Sequence, residues 1–374
     1  MIVLPFFLAF LTSLIVCTLV IRYQHVHSRY SMDHDLDGVQ KFHVRPTPRI
    51  GGVPMFAGLL LAMLVFGLMQ DFSLLLPLLI SALPVFLAGL LEDLTKRISP
   101  KVRLLAAFVS AGLAAWLMQA VLGRLGVPGV DALLQAWPLL ALLLTVFAVS
   151  GVCHATNIID GYNGLMAGVS IVSALAFAYV SYKLNDAHLL VLSVSLAGAL
   201  LGFLVWNFPR GLIFAGDAGA YLVGFLLAEL AVLLVLRHPQ VSPWFCMLVL
   251  IYPIFETVFT IYRRRLRNAA AGLPDSMHFH QLIYKRLVRW MVGRRESAHL
   301  LKRNSLTAPY LWAMAALTVT PAILFWQYES LLQLSALCFV AVYVWLYKRI
   351  VNFRAPRWMV YRRAAPPHSG RRAK

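Results

Sequence analysis

Asn157-Ile158-Ile159-Asp160-Gly161-Tyr162-Asn163-Gly164-Leu165 is a short polar block set between two long apolar runs, 133–153 and 163–182. Each run is long enough to cross a bilayer core of about 30 Å as a helix, because a helix rises about 1.5 Å per residue. One Asp, two Asn and two Gly make a tight turn that can present side chains and backbone N–H groups to a ligand. A plain turn between two membrane spans needs far fewer polar residues. The block implies a membrane crossing and chemistry at the point where the helices leave it.

Working outward, further apolar runs lie near 1–21, 51–70, 74–91, 103–122, 188–206, 218–236, 243–262, 310–326 and 332–348. With 60% hydrophobic and only 13% charged residues in 374, the chain has more apolar surface than a soluble core of this size can hide. The expected fold is an all-α integral membrane protein of about eleven transmembrane helices. Residues 1–350 read as one polytopic domain, with 263–309 as a small cytoplasmic appendage and 351–374 as a basic cytoplasmic tail. Segment 1–21 lacks a basic start and is long for a signal peptide, so it reads as a retained first helix.

Lys and Arg orient the bundle, since they are retained on the cytoplasmic side during insertion. Of the 33, 30 fall in 22–49, 92–103, 207–217, 263–309 and 348–374, leaving Arg124, Lys183 and Arg237 for the other side. That alternation puts the N-terminus outside and the C-terminus in the cytoplasm. It also gives the net charge of +18 a topological meaning, with basic segments lying against anionic headgroups, and no nucleic-acid module interrupts the spans. Cys17, Cys153, Cys246 and Cys338 have no paired spacing and imply neither disulfides nor a zinc site.

The acidic clusters sit at helix mouths on the cytoplasmic side, where an enzyme of the lipid interface would hold them, rather than near the bilayer centre as in a transporter. Glu92-Asp93 closes the third span. Adjacent carboxylates there oppose the helix dipole unless a cation offsets them, and magnesium, which takes one or two carboxylates plus substrate phosphate, fits. Gly216-Asp217-Ala218-Gly219 opens the eighth span, where Asp217 has the alternative role of a helix cap. In the first inward loop, Pro46-Thr47-Pro48-Arg49-Ile50-Gly51-Gly52 bars a helix start until Ile50 and allows close backbone approach. Lys41, Arg45 and Arg49 are placed to face phosphate. The acidic trio Asp33, Asp35 and Asp37 lacks the spacing of a calcium loop. His278-Phe279-His280 would diverge on a helix and makes a weak zinc pair, so histidines beside phosphate are the better functional reading. Within spans, Glu256 reads as a partner for backbone freed by Pro253 or for cytoplasmic-side basic groups, and Glu229 has no evident partner.

Taken in order, these motifs resemble the polyprenyl-phosphate N-acetylhexosamine-1-phosphate transferases, a glycosyltransferase family 4 type, over roughly residues 1–350. The resemblance rests on 46–52, Glu92-Asp93, 157–165, 216–219, His278 and His280, and the break near Pro253 in the ninth span. It implies transfer of an N-acetylhexosamine 1-phosphate from a UDP-sugar, UDP-GlcNAc or a deoxy relative, to undecaprenyl phosphate with release of UMP. That would initiate a lipid-linked O-antigen or related cell-surface polysaccharide in the bacterial inner membrane, with membrane lipids as surroundings and a homodimer as a compatible assembly. By the same resemblance the cofactor is magnesium, with manganese as the alternative, held by Asp217 and Asp93. Glu92, Asp93, Asp160 and Asp217 carry catalysis. Asn157, Asn163, Asn207 and Phe214 line the nucleotide side, His278 and His280 hold diphosphate or sugar, and Lys41 contacts the donor.

Three positions depart from the family pattern. Glu92 stands where the first of two Asp is usual, Asn163 where an Asp is usual, and Gln281 where many relatives have a further His. Glu92 would inherit any general-base role with altered geometry, although a phosphate with a second pKa of about 6 lessens the need for a base. Two other readings stay open: a transporter or flippase for a lipid-linked or nucleotide sugar, resting on Glu229, and a catalytically inactive scaffold, resting on Glu92 and Asn163.

Overall fold

Among the described residues of the computed structural model ten helices are long and apolar enough to cross a membrane, and two shorter helices that meet at a 75° bend pass the same test together, which makes eleven if the pair is one span. The structure describes residues 3–33, 46–266, 277–288, 297–354, 356 and 359. In chain order come α1 (Val3–Arg22), a short α2 (Gln24–Ser31), α3 (Gly52–Met69), α4 (Leu75–Thr95), α5 (Pro100–Met118) and a short α6 (Pro128–Ala136). Then follow α7 (Pro138–Ile159), α8 (Leu165–Lys183), α9 (Ala187–Asn207), α10 (Gly216–Arg237), α11 (Pro243–Val249) and α12 (Ile251–Leu266). A single turn (Phe279–Leu282), a π-helical turn (Ile283–Val288) and the tenth and eleventh spans (Ser297–Leu324 and Glu329–Val351) complete it. The β structure among the described residues is a two-residue antiparallel ladder, Met32 with Pro48 and Asp33 with Thr47. The all-α polytopic expectation holds.

Helix ends follow local chemistry rather than the limits of the apolar runs. The span expected at 133–153 is α7 at Pro138–Ile159, because Pro138 has no N–H to continue α6 and instead begins a new helix. The span expected at 103–122 starts at Pro100, where the Ser99 hydroxyl accepts from the Val102 N–H. The helix that contains the tenth span begins at Ser297, so 297–309 of the segment 263–309 continue into that helix. Residues 277–288 of that segment pack into the bundle, while 267–276 and 289–296 lie outside the described residues, as does most of the basic tail. The ninth span breaks at Leu250, three residues before Pro253. Proline at 253 cannot bond to the Val249 carbonyl four residues back, so the discontinuity falls one turn ahead of the ring.

α10 is the axis of the molecule, buried along nearly its whole length, whereas α1 lies at the periphery with most of its surface exposed. Close packing around the start of α10 needs the glycine at 52, where a Cβ would meet the Ala218 and Gly219 backbone. At the far end, Arg124 donates to the carbonyls of Val235, His238 and Val241, at 3.2, 3.2 and 2.7 Å. That places a cation on the negative end of the α10 dipole. Beside it, Asp186 accepts from Arg237 Nε at 2.7 Å and His238 Nε2 at 2.8 Å, tying the α8–α9 loop to the end of α10.

Candidate active site

The C-terminal turn of α4 runs into the N-terminal turn of α10. Asp93 accepts from the backbone N–H groups of Asp217 at 2.8 Å and Ala218 at 2.9 Å, with Arg49 at 3.5 Å from the same carboxylate. A carboxylate at the negative end of its own helix is thus set against the positive end of another. This meets the electrostatic demand that sequence reasoning assigned to magnesium at Glu92-Asp93. Gly216 makes the approach feasible: its φ is +69°, and a Cβ there would run into the Arg49 carbonyl and the Asp93 carboxylate. Glu92 turns the other way and accepts from the Ile98 N–H at 2.7 Å, closing the loop after α4.

Asp217, in the first turn of α10, is held by side chains from three other segments. Asn157 Nδ2 donates to its Oδ1 at 3.1 Å, Arg49 lies 3.9 Å from the same oxygen, and Arg103 ion-pairs with Oδ2. Its carboxylate therefore does not serve as the helix cap that sequence allowed. Arg49 is delivered by the β ladder and by its N–H bond to the Ser31 carbonyl at 2.9 Å.

The turn at 160–164 is braced rather than free. Asn163 N–H donates to Asn304 Oδ1 at 2.8 Å and Asn163 Nδ2 to the Pro209 carbonyl at 3.1 Å. Asn207 accepts from the Gly164 N–H at 2.6 Å and donates to the Ile213 carbonyl at 2.7 Å, so it holds two loops together. Desolvation pushes the Asp160 carboxyl up to about 8, with Arg49 pulling the other way. Tyr162, buried beside it, sits well above the usual phenol range, again mainly through burial.

The two histidines do not diverge as a helical pair would. His278 precedes the single turn in an extended conformation, and its ring stacks on His280 with centroids 5.2 Å apart and planes 7° from parallel. Glu256 fixes them: it accepts from the Phe279 N–H at 2.9 Å and from Tyr343 at 2.8 Å, and lies 3.2 Å from His278 Nδ1. Among the described residues its partners are thus this histidine turn and Tyr343.

A cavity of about 390 Å³ opens where these pieces meet, lined by Asn157, Asp160, Asn163, Asn207, Phe214, Asp217, His278 and His280. Eight of the eleven residues named from sequence thus come together. Glu92 and Asp93 do not line the cavity, and Lys41 lies outside the described residues. Arg103 and Asn304 were missed. The signal for Arg103 was a cation in the first turn of an apolar span, and for Asn304 a polar run leading into another.

Among the described residues no three His, Cys, Asp or Glu side chains gather as a metal cage. Magnesium does not need one, since two carboxylates plus substrate phosphate and water are its usual shell. Asp217 and Asp160 on the cavity wall supply two, and the desolvated Asp160 carboxyl is a group that a dication would hold ionised, so the residues fit the ion. Asp93 sets its oxygens on the α10 backbone N–H groups of Asp217 and Ala218 and so supports the turn that carries Asp217.

The family model described as "Glycosyl transferase family 4" matches residues 75–235, from α4 to the end of α10. A probable undecaprenyl-phosphate N-acetylglucosaminyl 1-phosphate transferase of Bacillus subtilis is 30% identical over 244 residues, covering 64% of this chain and 66% of that protein. A decaprenyl-phosphate N-acetylglucosaminephosphotransferase of Mycobacterium tuberculosis is 32% identical over 271 residues, covering 64% and 65%. An undecaprenyl-phosphate alpha-N-acetylglucosaminyl 1-phosphate transferase of Thermotoga maritima is 29% identical over 251 residues, covering 67% and 72%. The chain spans just under two thirds of the first two relatives. The segment that carries Asp93, Asn157, Asp160 and Asp217 is the one the family model matches, and that match together with these relatives supports the resemblance to glycosyl transferase family 4.

Proposed function

We propose that the protein transfers an N-acetylhexosamine 1-phosphate from a UDP-sugar to undecaprenyl phosphate at the membrane surface, releasing UMP. The observation that carries this reading is the cavity itself, where Asp160 and Asp217 face Arg49, His278 and His280 at the helix ends. A phosphate oxygen of the lipid attacks the phosphorus that bears the sugar. A new P–O bond forms as the bond to UMP breaks, leaving a sugar diphospholipid. Such a transfer is mainly positioning and charge neutralisation, which suits a site of fixed ions and hydrogen-bond donors. Arg49 and the stacked histidines would hold diphosphate oxygens, and the braced 160–164 turn would orient the nucleotide. Magnesium, or manganese in its place, would be held by Asp217 and Asp160 and would neutralise charge on the diphosphate. UDP-GlcNAc or a deoxy relative is the proposed donor, and a lipid-linked O-antigen or related polysaccharide, begun in the bacterial inner membrane by a monomer or homodimer, the proposed setting.

The transporter reading is less well supported. Glu229, on which it rests, is fully buried and is not on the cavity wall. The test is UMP release by purified protein with undecaprenyl phosphate, magnesium and a panel of UDP-N-acetylhexosamines. Release that requires the lipid, stops with EDTA and falls at least about 100-fold in Asp217→Asn is expected. Silence across the panel from folded protein that binds UDP-sugar would favour the scaffold reading.

A further inference from the structure

The bend in the ninth span opens a space beside it. α12 departs from the line of α11 by 75° at Leu250, and rings bridge the gap between α12 and the eleventh span. Phe255 meets Phe339 and Tyr343 with centroids 6.0 and 4.9 Å apart, and Phe259 meets Tyr347 at 4.8 Å. Over Phe255, Phe259 and Tyr347 runs a trough of two cavities, of about 400 and 660 Å³, which share Phe255 and Val258. Its sides are an apolar stripe from each helix, such as Ile251 and Ile254 on α12 and Ala336, Val340 and Val344 on the eleventh span.

Charge is confined to one end of this trough. Arg263 and Lys348 line the larger cavity, the smaller one ends on the uncharged Trp244 and Gln333, and no Asp or Glu lines either. Lys348 is exposed, and the Arg263 guanidinium lies 5.9 Å from the centre of the Tyr347 ring. The basic end is on the side to which the Lys and Arg count assigns the cytoplasm. A long apolar channel with cations at one mouth is complementary to a molecule with apolar tails and an anionic head, and basic pockets between spans on that side are where such heads bind.

The position of the trough argues against a reacting lipid. It shares no lining residue with the active-site cavity. An aromatic layer stands between them, since Tyr343 packs on Phe279 at 4.8 Å and Tyr347 donates to the Met277 carbonyl at 3.1 Å. A head group at Arg263 and Lys348 therefore rests against the back of the histidine turn rather than beside Asp217. We propose that the trough seats an anionic phospholipid of the surrounding leaflet as a bound, non-reacting partner. Its phosphodiester lies at Arg263 and Lys348 and its acyl chains along the apolar stripe. A zwitterionic lipid with the same chains keeps the tail contacts, but its own ammonium group offsets the attraction at the basic end.

The experiment is native mass spectrometry of the full chain in detergent with equal amounts of phosphatidylglycerol and phosphatidylcholine of the same acyl chains. Wild type is expected to retain phosphatidylglycerol over phosphatidylcholine by about fivefold or more. In Lys348→Gln that preference falls to within about twofold while melting without added lipid is unchanged. In Lys101→Gln, which removes an exposed lysine at the start of α5 instead, the preference stays at the wild-type value. Val258→Trp, which fills the junction of the two cavities, lowers retention of both lipids. Equal retention of the two lipids by wild type would overturn the proposal, and so would a loss in Lys101→Gln as large as that in Lys348→Gln, since either reduces the effect to general attraction of a basic surface. One-for-one displacement of phosphatidylglycerol by undecaprenyl phosphate would overturn it as well, by giving the trough to the acceptor lipid.

Discussion

Glu92 and Asp93 are sequence neighbours whose carboxylates do different work. Asp93 reaches the start of α10, and Glu92 accepts from the Ile98 N–H outside the cavity. Glu92→Gln keeps an acceptor for that N–H, so UMP release should stay within about fivefold of wild type. A loss of 100-fold with unchanged melting would return Glu92 to a general-base role. The residue types were legible in sequence because carboxylates at helix mouths are costly without a partner. The identity of the partner was not, because the α10 backbone and Arg49 are remote in sequence from Asp93 and nothing in a linear pattern reports a helix end brought in from elsewhere. Arg103 shows the same limit from the other side: it was counted as a topology-setting charge, yet it ion-pairs with Asp217.

At the scale of elements, the spans were readable from their apolar runs, while their ends depended on prolines and caps that shift a boundary by several residues, as at Pro138 and Ser99. The histidine turn shows how one element positions another. Tyr343, on the eleventh span, donates to Glu256 on α12, which in turn holds the Phe279 N–H. Tyr343→Phe should raise the KM for UDP-sugar about threefold to tenfold with little change in kcat. A fall in kcat at constant KM would show that the turn matters to chemistry rather than to binding. On the opposite ends of the helices, burial works against ionisation of Asp186, but the bonds from Arg237 and His238 outweigh it and hold its carboxyl below the usual range. Its folded pKa is therefore lower than its unfolded value of about 3.9. The stability it contributes is complete above about pH 4 and is lost as pH falls through the folded value. Asp186→Asn should accordingly melt a few degrees below wild type at pH 7, with the gap closing in more acidic buffer. A gap that widens on acidification would contradict the clamp.

For the whole molecule, the distribution of Lys and Arg makes a claim about sidedness that helix geometry alone cannot make. Lys183 and Arg210 are both exposed and lie at opposite ends of α9. In intact cells a membrane-impermeant thiol reagent should label Lys183→Cys and leave Arg210→Cys unlabelled until the membrane is opened; the reverse pattern would invert the proposed topology. α10 also has a temporal consequence. Its first turn is met by Asp93 and its last by Arg124, and both residues precede it in the chain. A ribosome making the protein from its N-terminus has therefore already delivered both counter-charges when α10 emerges. The most enclosed helix can dock into a receptor that is waiting for it, and Asp217 at its head is positioned by parts already in the membrane.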